Sequence, residues 1–402
     1  MRQDAVHVTG MGMVTAIGVG VEANLASLLA ERTGIGPITR LVTRHRGKIP
    51  AAEVRMGDME LSAIAAPADT RGWTRAALLG LAAVREATLQ AGLDPRGPRI
   101  GLISATTAGG IDKSEGIYDR FFDNAPSDEV LEYIGTHDPG EHAERIAHEL
   151  GMSSVVTTVS TACSSSANAI GFAARLIRAG LLDAAIAGGT DALNKFTLNG
   201  FNSLMILDPQ ACRPFDGTRA GLNLGEAGAY VVLESATHAR RRGAAPLALV
   251  NGFANTNEAY HATASSPDGE GARKAMDRAL ASAGLRPQDI SHVNTHGTGT
   301  LNNDASEGLA MHRLFEGKVP PFTSTKSFTG HTLGAAGAVE AIYAVLAIRA
   351  GAHFATLRHG SVLAEAPVVP VLRSSSGHAI THVLSNSFGF GGNNTSLILS
   401  AP

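Results

Sequence analysis

A single cysteine stands among small residues in the stretch VSTACSSSAN, residues 159–168. Cys163 is followed by AIGFAARLIRAG, whose apolar residues recur at helical spacing. Thr161 and the serines commonly cap helices, so we expect the sulfur in a first helical turn, where free N–H groups stabilise a thiolate. Small neighbours leave room for a substrate. Cys163 is therefore a candidate nucleophile, the alternative being a small core residue; Cys212 lacks such surroundings and is interpreted as structural.

Two histidines of the C-terminal half stand in glycine-rich settings. ISHVNTHGTGT reads as a strand that delivers His296 at its end, and STKSFTGHTLGAAG places Lys326 and then His331 ahead of an apolar helix. Strand ends and helix N-termini are where α/β proteins place reactive groups. The chain has 15 histidines, so either one alone is more often a surface or packing residue. Their similar placement favours a shared site.

The last loop, SNSFGFGGNNTS, is denser in glycine than a simple turn requires. Glycines let backbone N–H groups approach a ligand closely, as an oxyanion site needs. An ordinary hairpin turn is the alternative.

Strands and helices alternate along the chain, which predicts an α/β fold with a covered sheet. LNLGEAGAYVVLES (222–235) and FGFGGNNTSLILSA (388–401) both run from a glycine-rich turn into an apolar strand. Each closes roughly half of the chain, and THARRRGAAP between them reads as a linker. We therefore expect two similar lobes, residues 1–240 with Cys163 and residues 241–402 with His296, Lys326, His331 and the glycine-rich loop.

The composition excludes several classes of protein. Lys and Arg number 33 against 36 Asp and Glu, and no block of basic residues stands out, which argues against nucleic-acid binding. Asp4 and His7 interrupt the N-terminus where a signal peptide would be apolar, and no run of about 18 apolar residues predicts a membrane span. With two cysteines only, a cytoplasmic protein without membrane association is expected.

The chain resembles the β-ketoacyl-[acyl-carrier-protein] synthases, type I/II condensing enzymes of the thiolase superfamily. The resemblance rests on four ordered motifs and the segment CRPFDGTRAGLNLGEAGAYVVLE, and it spans nearly the whole chain; the motifs are TACSSSANAI, NTHGTGTLNND, TSTKSFTGHTLGAAGAVEA and SNSFGFGGNNTSL. It implies a thiolase-like fold, with two duplicated lobes in a five-layered αβαβα sandwich, and a dimer. It also implies decarboxylative Claisen condensation of malonyl-carrier with an acyl group held on Cys163, in fatty-acid or polyene and polyketide elongation.

Site roles follow from the same resemblance, residue by residue. Cys163, His296 and His331 would form the catalytic triad, and Lys326 would hold the network with Glu340 as its partner. Asp304 and Glu307 would be acidic positions that order structure or water. The oxyanion hole and gate would be formed by Phe390, Gly391 and the Cys163 N–H. The substrate-binding residues would be Thr298, Thr300, Phe388 and Ala108. The resemblance implies no metal and no cofactor, since substrates arrive on the phosphopantetheine of an acyl carrier protein.

Three alternatives and one departure matter within this resemblance. A degradative thiolase would need a second cysteine in the last loop, which has none. A chain-length-factor subunit, the structural partner in a heterodimer, would lack the nucleophile; a thiolase-fold acyltransferase is the other alternative. Asn393 stands where the family has threonine, and we expect it still to hydrogen-bond.

Details of the motifs concern the pathway and the partner protein. The motifs TACSSSANAI and LNLGEAGA are similar to those of ketosynthases of type II aryl-polyene and related polyene pathways, which commonly pair with a chain-length factor. A homodimer and a heterodimer with such a subunit are therefore both open. Leu204 and Met205 stand where relatives often carry a basic residue that meets the carrier protein. Arg71 and Arg75 are the candidates for that contact by family position, with solvated helix arginines as the alternative.

Overall fold

The computed structural model describes residues 4–122 and 128–402. Its strands are β1 (Val6–Thr15), β2 (Gly18–Val19), β3 (Ile100–Ala105), β4 (Val156–Val159), β5 (Ala184–Asp191), β6 (Ala227–Ser235), β7 (Ala248–Asn257), β8 (His292–Asn294), β9 (Phe322–Thr323), β10 (Ala352–His353), β11 (Ser375–Ser376), β12 (His382–Gly389) and β13 (Asn393–Ser400). Its helices are α1 (Val21–Leu29), α2 (Asp58–Ala65), α3 (Arg75–Ala91), α4 (Ile111–Ile117), α5 (Asp128–Glu132), α6 (Glu141–Glu149), α7 (Ser165–Arg178), α8 (Lys195–Ser203), α9 (Ala236–Arg241), α10 (Glu270–Ala283), α11 (Leu301–Leu314), α12 (Lys326–Thr329) and α13 (Ala336–Ala350).

The strand pairing repeats itself in the two halves of the chain. In the first half the order is β4-β3-β5-β6-β1, with β4, β3 and β5 parallel and the next two pairs antiparallel. In the second half β9-β8-β12-β13-β7 has the same sequence of parallel and antiparallel pairs. The halves meet where β1 pairs with β7, through His7–Leu249 and Val8–Ala248. This duplication confirms the α/β, thiolase-like fold class; the lobe boundary at residue 240 stays a prediction.

Helices cover both half-sheets and fill the space between them. The outer helix α3 packs on β1, β5 and β6, while α10 packs on β7 and β13. The central pair, α7 and α13, contacts both half-sheets and forms the largest apolar cluster. The five expected layers are therefore present. They are, in order, α3, the first half-sheet, the pair α7 and α13, the second half-sheet, and the pair α10 and α11.

Small residues allow these layers to approach closely. A Cβ at Gly12 of β1 would lie 2.0 Å from the Ala83 carbonyl oxygen of α3. A Cβ at Gly337 of α13 would lie 2.7 Å from Ala167 of α7, so the central helices also meet through glycine. Glycine at these two positions therefore lets a strand and a helix approach their neighbours more closely than a larger residue would allow.

The apolar helix α13 belongs to this core. The stretch Leu333–Ala350 is long and apolar enough to span a bilayer, and 83% of it is buried inside the protein. The helix carries almost no polar face because α7 and both half-sheets surround it.

Candidate active site

Cys163 lies in a strained turn directly before α7. Ala162 has φ of 53°, in the left-handed region that few residues other than glycine adopt. Ser165 holds this turn, because its Oγ accepts from the Thr161 N–H at 2.8 Å and donates to the Ala162 carbonyl at 2.5 Å. Ser164 is the helix N-cap, so Cys163 lies one residue before the cap and two before the first helical residue, Ser165. The expectation that the sulfur lies within the first helical turn was wrong, because the strained turn delays the helix.

The structure brings Cys163, His296 and His331 together from both halves of the chain. The sulfur and one nitrogen of each imidazole all lie within 4.8 Å of one another, and the rings meet edge to face with centroids 5.4 Å apart. His296 follows the end of β8, as predicted. His331 lies between α12 and α13, where its backbone N–H donates to the Asn223 carbonyl at 2.7 Å. Neither half alone could build this cluster.

Local hydrogen bonds fix where the two imidazoles carry their protons. The Leu333 N–H donates to His331 Nδ1 at 3.0 Å, so the proton of the neutral ring is on Nε2. Nε2 is buried without a partner among the described residues. Lys326 Nζ, which can only donate, lies 3.2 Å from His296 Nδ1 and imposes the same tautomer there. Both rings therefore offer an Nε2–H as a donor.

The charge states are consistent with this arrangement. Burial, followed by the Lys326 ammonium, lowers the pKa of His296 and of His331 well below the usual value. Burial raises the pKa of Cys163 to about 11, although Lys326 and the Phe390 N–H act in the opposite direction. The resting site thus holds two neutral imidazoles and a neutral thiol, poised to bind an oxygen that gains negative charge.

The same three side chains have the donor types of a soft-metal site, but their protonation does not fit one. A metal would need the Nε2 lone pairs and hence a proton on each Nδ1. That proton would face the Leu333 N–H in one ring and the Lys326 ammonium in the other. The geometry favours hydrogen-bond donation over metal ligation.

Lys326 and Glu340 form a buried ion pair behind His296. Both side chains are 2% exposed, and Nζ contacts Glu340 Oε1 directly. Nζ also donates to the His296 carbonyl at 2.6 Å, so one ammonium holds both backbone and ring of His296. Burial raises the pKa of Glu340 to about 7. The expected Lys326–Glu340 pairing is thus present.

Asp304 and Glu307 of α11 hold the loop that carries His296. The Glu307 carboxylate accepts from the N–H groups of His296 at 2.9 Å and Gly297 at 2.8 Å. Asp304 accepts from Gly299 at 3.1 Å and from Phe215 at 2.7 Å. Burial raises the pKa of Glu307 to about 7. Both carboxylates order backbone rather than reach the thiol.

The glycine-rich loop lies against Cys163 from the second half. The Phe390 N–H lowers the pKa of the Cys163 thiol, against the larger effect of burial. The Phe390 ring stacks on Phe201 at 5.6 Å, and Gly391 has φ of 79°. The loop therefore presents a backbone donor beside the thiol.

Asn393 anchors this loop to the start of α7. Its Oδ1 accepts from Ser164 Oγ at 2.8 Å, Asn168 Nδ2 at 3.1 Å and Asn255 Nδ2 at 2.6 Å. The expected hydrogen bonding of Asn393 is confirmed, and it joins the two halves next to the thiol.

A cavity of about 270 Å³ opens onto the thiol and both imidazoles. Thr298, Thr300, Phe388 and Phe390 line it, and the two threonine hydroxyls lie 2.9 Å apart. Ala108 does not line it: its N–H donates to Asp191 at 3.1 Å. The assignment of Ala108 to the far end of an acyl pocket stays a prediction.

Sequence reasoning missed one residue and misplaced another. The carboxylate of Asp191, at the end of β5, accepts from the N–H groups of Thr107 at 3.0 Å and Gly334 at 2.7 Å, so it braces the turn after His331. The only indication of this role in the sequence was an aspartate at the end of a buried strand. Arg75 was wrongly offered as a surface contact: its side chain is 7% exposed and binds Glu226 at 2.7 Å. Arg71 is exposed and pairs with Asp69.

Comparisons with known proteins agree with this geometry. A family profile described as beta-ketoacyl synthase, N-terminal domain, matches residues 3–239, and one described as beta-ketoacyl synthase, C-terminal domain, matches residues 247–359. The chain is similar to 3-oxoacyl-[acyl-carrier-protein] synthase 2 of Staphylococcus aureus, 32% identical over 98% of this chain and 97% of the relative. The enzyme of the same name from Rhizobium meliloti is 36% identical over 98% of both chains.

Solved structures of similar proteins cover the chain equally well. The ishigamide ketosynthase/chain length factor superposes with a TM-score of 0.93 at 33% identity and covers 100% of both chains. A ketosynthase in complex with its chain length factor from Xenorhabdus doucetiae has a TM-score of 0.86 at 32% identity, covering 99% of this chain and 98% of that one. The chain therefore belongs to the β-ketoacyl synthase family of condensing acyltransferases.

Proposed function

We propose that the chain elongates an acyl group held on Cys163 by decarboxylative condensation with a malonyl group, both delivered on the phosphopantetheine arm of a carrier protein. The observation that carries this proposal is the pair of Nε2–H donors beside one thiol. A hydrolytic or simple transferase site would gain little from the second donor. No bound cofactor is needed beyond the arm of the carrier.

In the first step the Cys163 sulfur attacks the thioester carbonyl of the acyl-carrier. The new carbon–sulfur bond replaces the bond to the carrier, and the proton of Cys163 ends on the departing carrier thiol. The N–H groups of Cys163 and Phe390 serve the carbonyl oxygen as it becomes negative. Each such donor contributes about 3–4 kcal/mol in comparable oxyanion sites.

In the second step the malonyl group loses CO2 and leaves an enolate. Its oxygen accepts hydrogen bonds from Nε2 of His296 and His331, which are neutral donors at working pH. The enolate carbon then attacks the acyl-Cys163 carbonyl and expels the sulfur as a thiolate, which takes up a proton from water. The product is the 3-oxoacyl-carrier, two carbons longer, with CO2 released and the free thiol restored.

The assembly and pathway are part of this proposal. One solved relative is described as a type II polyketide acyl-carrier protein in complex with its ketosynthase, and two others carry a chain length factor in their descriptions. We infer an acyl carrier protein as substrate donor and a chain-length-factor-like subunit as dimer partner, in an aryl-polyene or related polyene pathway. The reaction would take place in the cytoplasm.

Intact-mass spectrometry tests the proposal directly. After incubation with acyl-carrier, the chain should gain the mass of one acyl group, and Cys163→Ala should gain none. Cys212→Ala is the matched control, since its thiol is equally buried, and it should still be acylated. Cys163→Ala should release CO2 from malonyl-carrier without forming product, whereas His296→Ala and His331→Ala should release little. Condensation by Cys163→Ala would refute the assignment.

A further inference from the structure

We propose that Arg358 is a positioning residue for Lys326, which it holds against His296 through the short helix α12. This inference rests on the proposed function, because there Lys326 fixes the imidazole that donates to the enolate. Arg358 lies in the segment after β10 and does not line the cavity that contains Cys163.

The Arg358 guanidinium joins two segments of backbone. Its Nε donates to the carbonyl oxygen of Cys212 at 2.9 Å, and its Nη2 donates to that of Ser327 at 2.5 Å. Ser327 is the second residue of α12 and directly follows Lys326. A planar guanidinium carries its donors in a fixed geometry, so Arg358 sets the distance between the two segments.

The segment of Cys212 lies against both residues that the proposal concerns. The Cys212 sulfur is 3.7 Å from the Lys326 carbonyl oxygen. A Cβ at Gly299, in the loop that follows His296, would lie 3.4 Å from the Cys212 Cβ. The backbone that Arg358 holds is therefore packed against the stretches that carry Lys326 and His296.

The helix α12 has a single turn and depends on contacts from outside it. Helices this short are not stable on their own. The Leu357 N–H donates to Ser327 Oγ at 3.1 Å, so two consecutive residues, Leu357 and Arg358, bind Ser327. The Thr33 hydroxyl donates to the Ser327 carbonyl at 2.9 Å but carries no charge. Charged donors form the stronger hydrogen bonds, which makes Arg358 the stronger of the two donors to this oxygen.

Two observations indicate that these contacts are required rather than incidental. Arg358 has φ of 66°, a left-handed conformation that costs energy in a residue other than glycine. Its guanidinium also binds backbone oxygens where buried cations usually pair with carboxylates, and no carboxylate pairs with it within the described ranges. Burial lowers the pKa of Arg358, and Asp208, which acts in the opposite direction, is itself paired with Arg213 at 3.2 Å.

A shift of α12 would misplace the Lys326 ammonium. Nζ meets His296 Nδ1 at 3.2 Å and the His296 carbonyl at 2.6 Å, and it contacts Glu340. A displacement of about 1 Å would break such contacts. Without Arg358 the tautomer and position of His296 would be held less well, and the enolate would lose a donor. Acylation of Cys163, which uses backbone N–H groups, would be spared.

The variant Arg358→Met tests this role on the full chain. Its release of CO2 from malonyl-carrier should fall roughly tenfold to a hundredfold, because small misplacements of catalytic groups have effects of this size. Acylation of Cys163 by acyl-carrier should keep the wild-type rate. The double variant Lys326→Met/Arg358→Met should release CO2 as slowly as Lys326→Met alone, because Arg358 acts through that ammonium. Arg358→Lys keeps the cation but has one nitrogen for two carbonyls, so its rate should lie between those of wild type and Arg358→Met.

The matched control is Arg178→Met, at the far end of α7 from Cys163. The Arg178 guanidinium also donates to two backbone carbonyls, those of Val250 at 2.6 Å and Asn251 at 3.1 Å. Burial lowers the pKa of Arg178 as it does that of Arg358. Its loss should leave CO2 release at the wild-type rate.

The positioning role is wrong if Arg358→Met releases CO2 like wild type, or if its acylation of Cys163 slows as much as its CO2 release. An equal further loss on adding Arg358→Met to Lys326→Met would also refute it, because the arginine would then act elsewhere. If Arg358→Met does not fold, Arg358→Lys takes its place, and wild-type CO2 release by that variant refutes the role. In each of these cases the proposed condensation stands. If wild type itself releases no CO2 from malonyl-carrier, the proposed function is wrong, and this role with it.

Discussion

Replacing Lys326 by methionine separates what its ion pair does for stability from what it does for chemistry. Nζ is buried against His296 Nδ1, the His296 carbonyl and Glu340. Methionine keeps an unbranched side chain, one atom shorter, and removes the charge and all three contacts. We expect Lys326→Met to fold with reduced stability and to decarboxylate malonyl-carrier slowly.

The size of each effect follows from the contacts. Removing one partner of a buried ion pair costs about 3–5 kcal/mol. We expect the lower end, since Glu340, whose pKa burial already raises to about 7, can take up a proton when its partner is gone. The native variant then binds more protons than the unfolded chain, so its free energy of unfolding should fall as pH rises from 6 to 8. Decarboxylation should slow by at most about 10²–10³-fold, the loss typical of one oxyanion donor.

The double variant Lys326→Met/Glu340→Met completes the test. Replacing both charges by apolar side chains should return the free energy of unfolding to within about 1 kcal/mol of wild type, because no buried charge is left alone. His296 would still lack the donor that fixes its tautomer, so CO2 release should stay slow. Urea unfolding at pH 6 and pH 8 and a CO2-release assay measure both quantities. Wild-type CO2 release by the double variant would refute the role assigned to Lys326.

Three further expectations concern Arg75, Asn393 and His142. Arg75→Met should lower the free energy of unfolding by about 3–5 kcal/mol in urea, because Glu226 loses its buried partner; a raised KM for the carrier with unchanged stability would contradict its buried role. Asn393→Ala should cost about 1–3 kcal/mol and slow acylation of Cys163, because three donors lose one acceptor; Asn393→Thr, the family residue, should be milder, and equal acylation rates in wild type and Asn393→Ala would count against this anchor. Burial lowers the pKa of His142 to about 4, so the native state binds fewer protons than the unfolded chain and stability falls as pH drops below about 6.5, by roughly 2 kcal/mol at pH 5 from this group. His142→Gln should unfold in urea with a correspondingly weaker dependence on pH, and an unchanged dependence would refute the attribution.

The local patterns of the sequence were enough to predict the elements that carry the chemistry. β6, β8, β13 and α13 occur where hydrophobic periodicity and glycine punctuation placed them. Thr74 caps α3 by accepting from the Ala77 N–H, and Gly92 ends it in the left-handed conformation. Periodicity, caps and glycines act over a few residues, so a single sequence displays them.

Contacts between distant segments were not predictable in this way. The Asp191 carboxylate meets Gly334, and Glu226 meets Arg75, across 143 and 151 residues of chain. The start of α7 at Ser165 was missed for a similar reason, since the Ala162 turn before it lies against the glycine-rich loop, where a Cβ at Gly389 would come within 2.9 Å of the Thr161 carbonyl oxygen. Arg75 reads as an ordinary helix arginine until the fold places a carboxylate against it.

The tautomer of His331 depends on an amide only two residues further along the same chain. The Leu333 N–H alone therefore keeps the proton of that ring on Nε2. Among the described residues, none that lines the cavity, other than His331 itself, takes part. Lining residues such as Met205 or Leu301 can therefore be substituted to admit longer, bent or unsaturated acyl chains, while His331 Nε2–H still donates to the enolate oxygen. In such a fold, the residues that determine acyl-chain selectivity are separate from those that determine the protonation of the catalytic histidine.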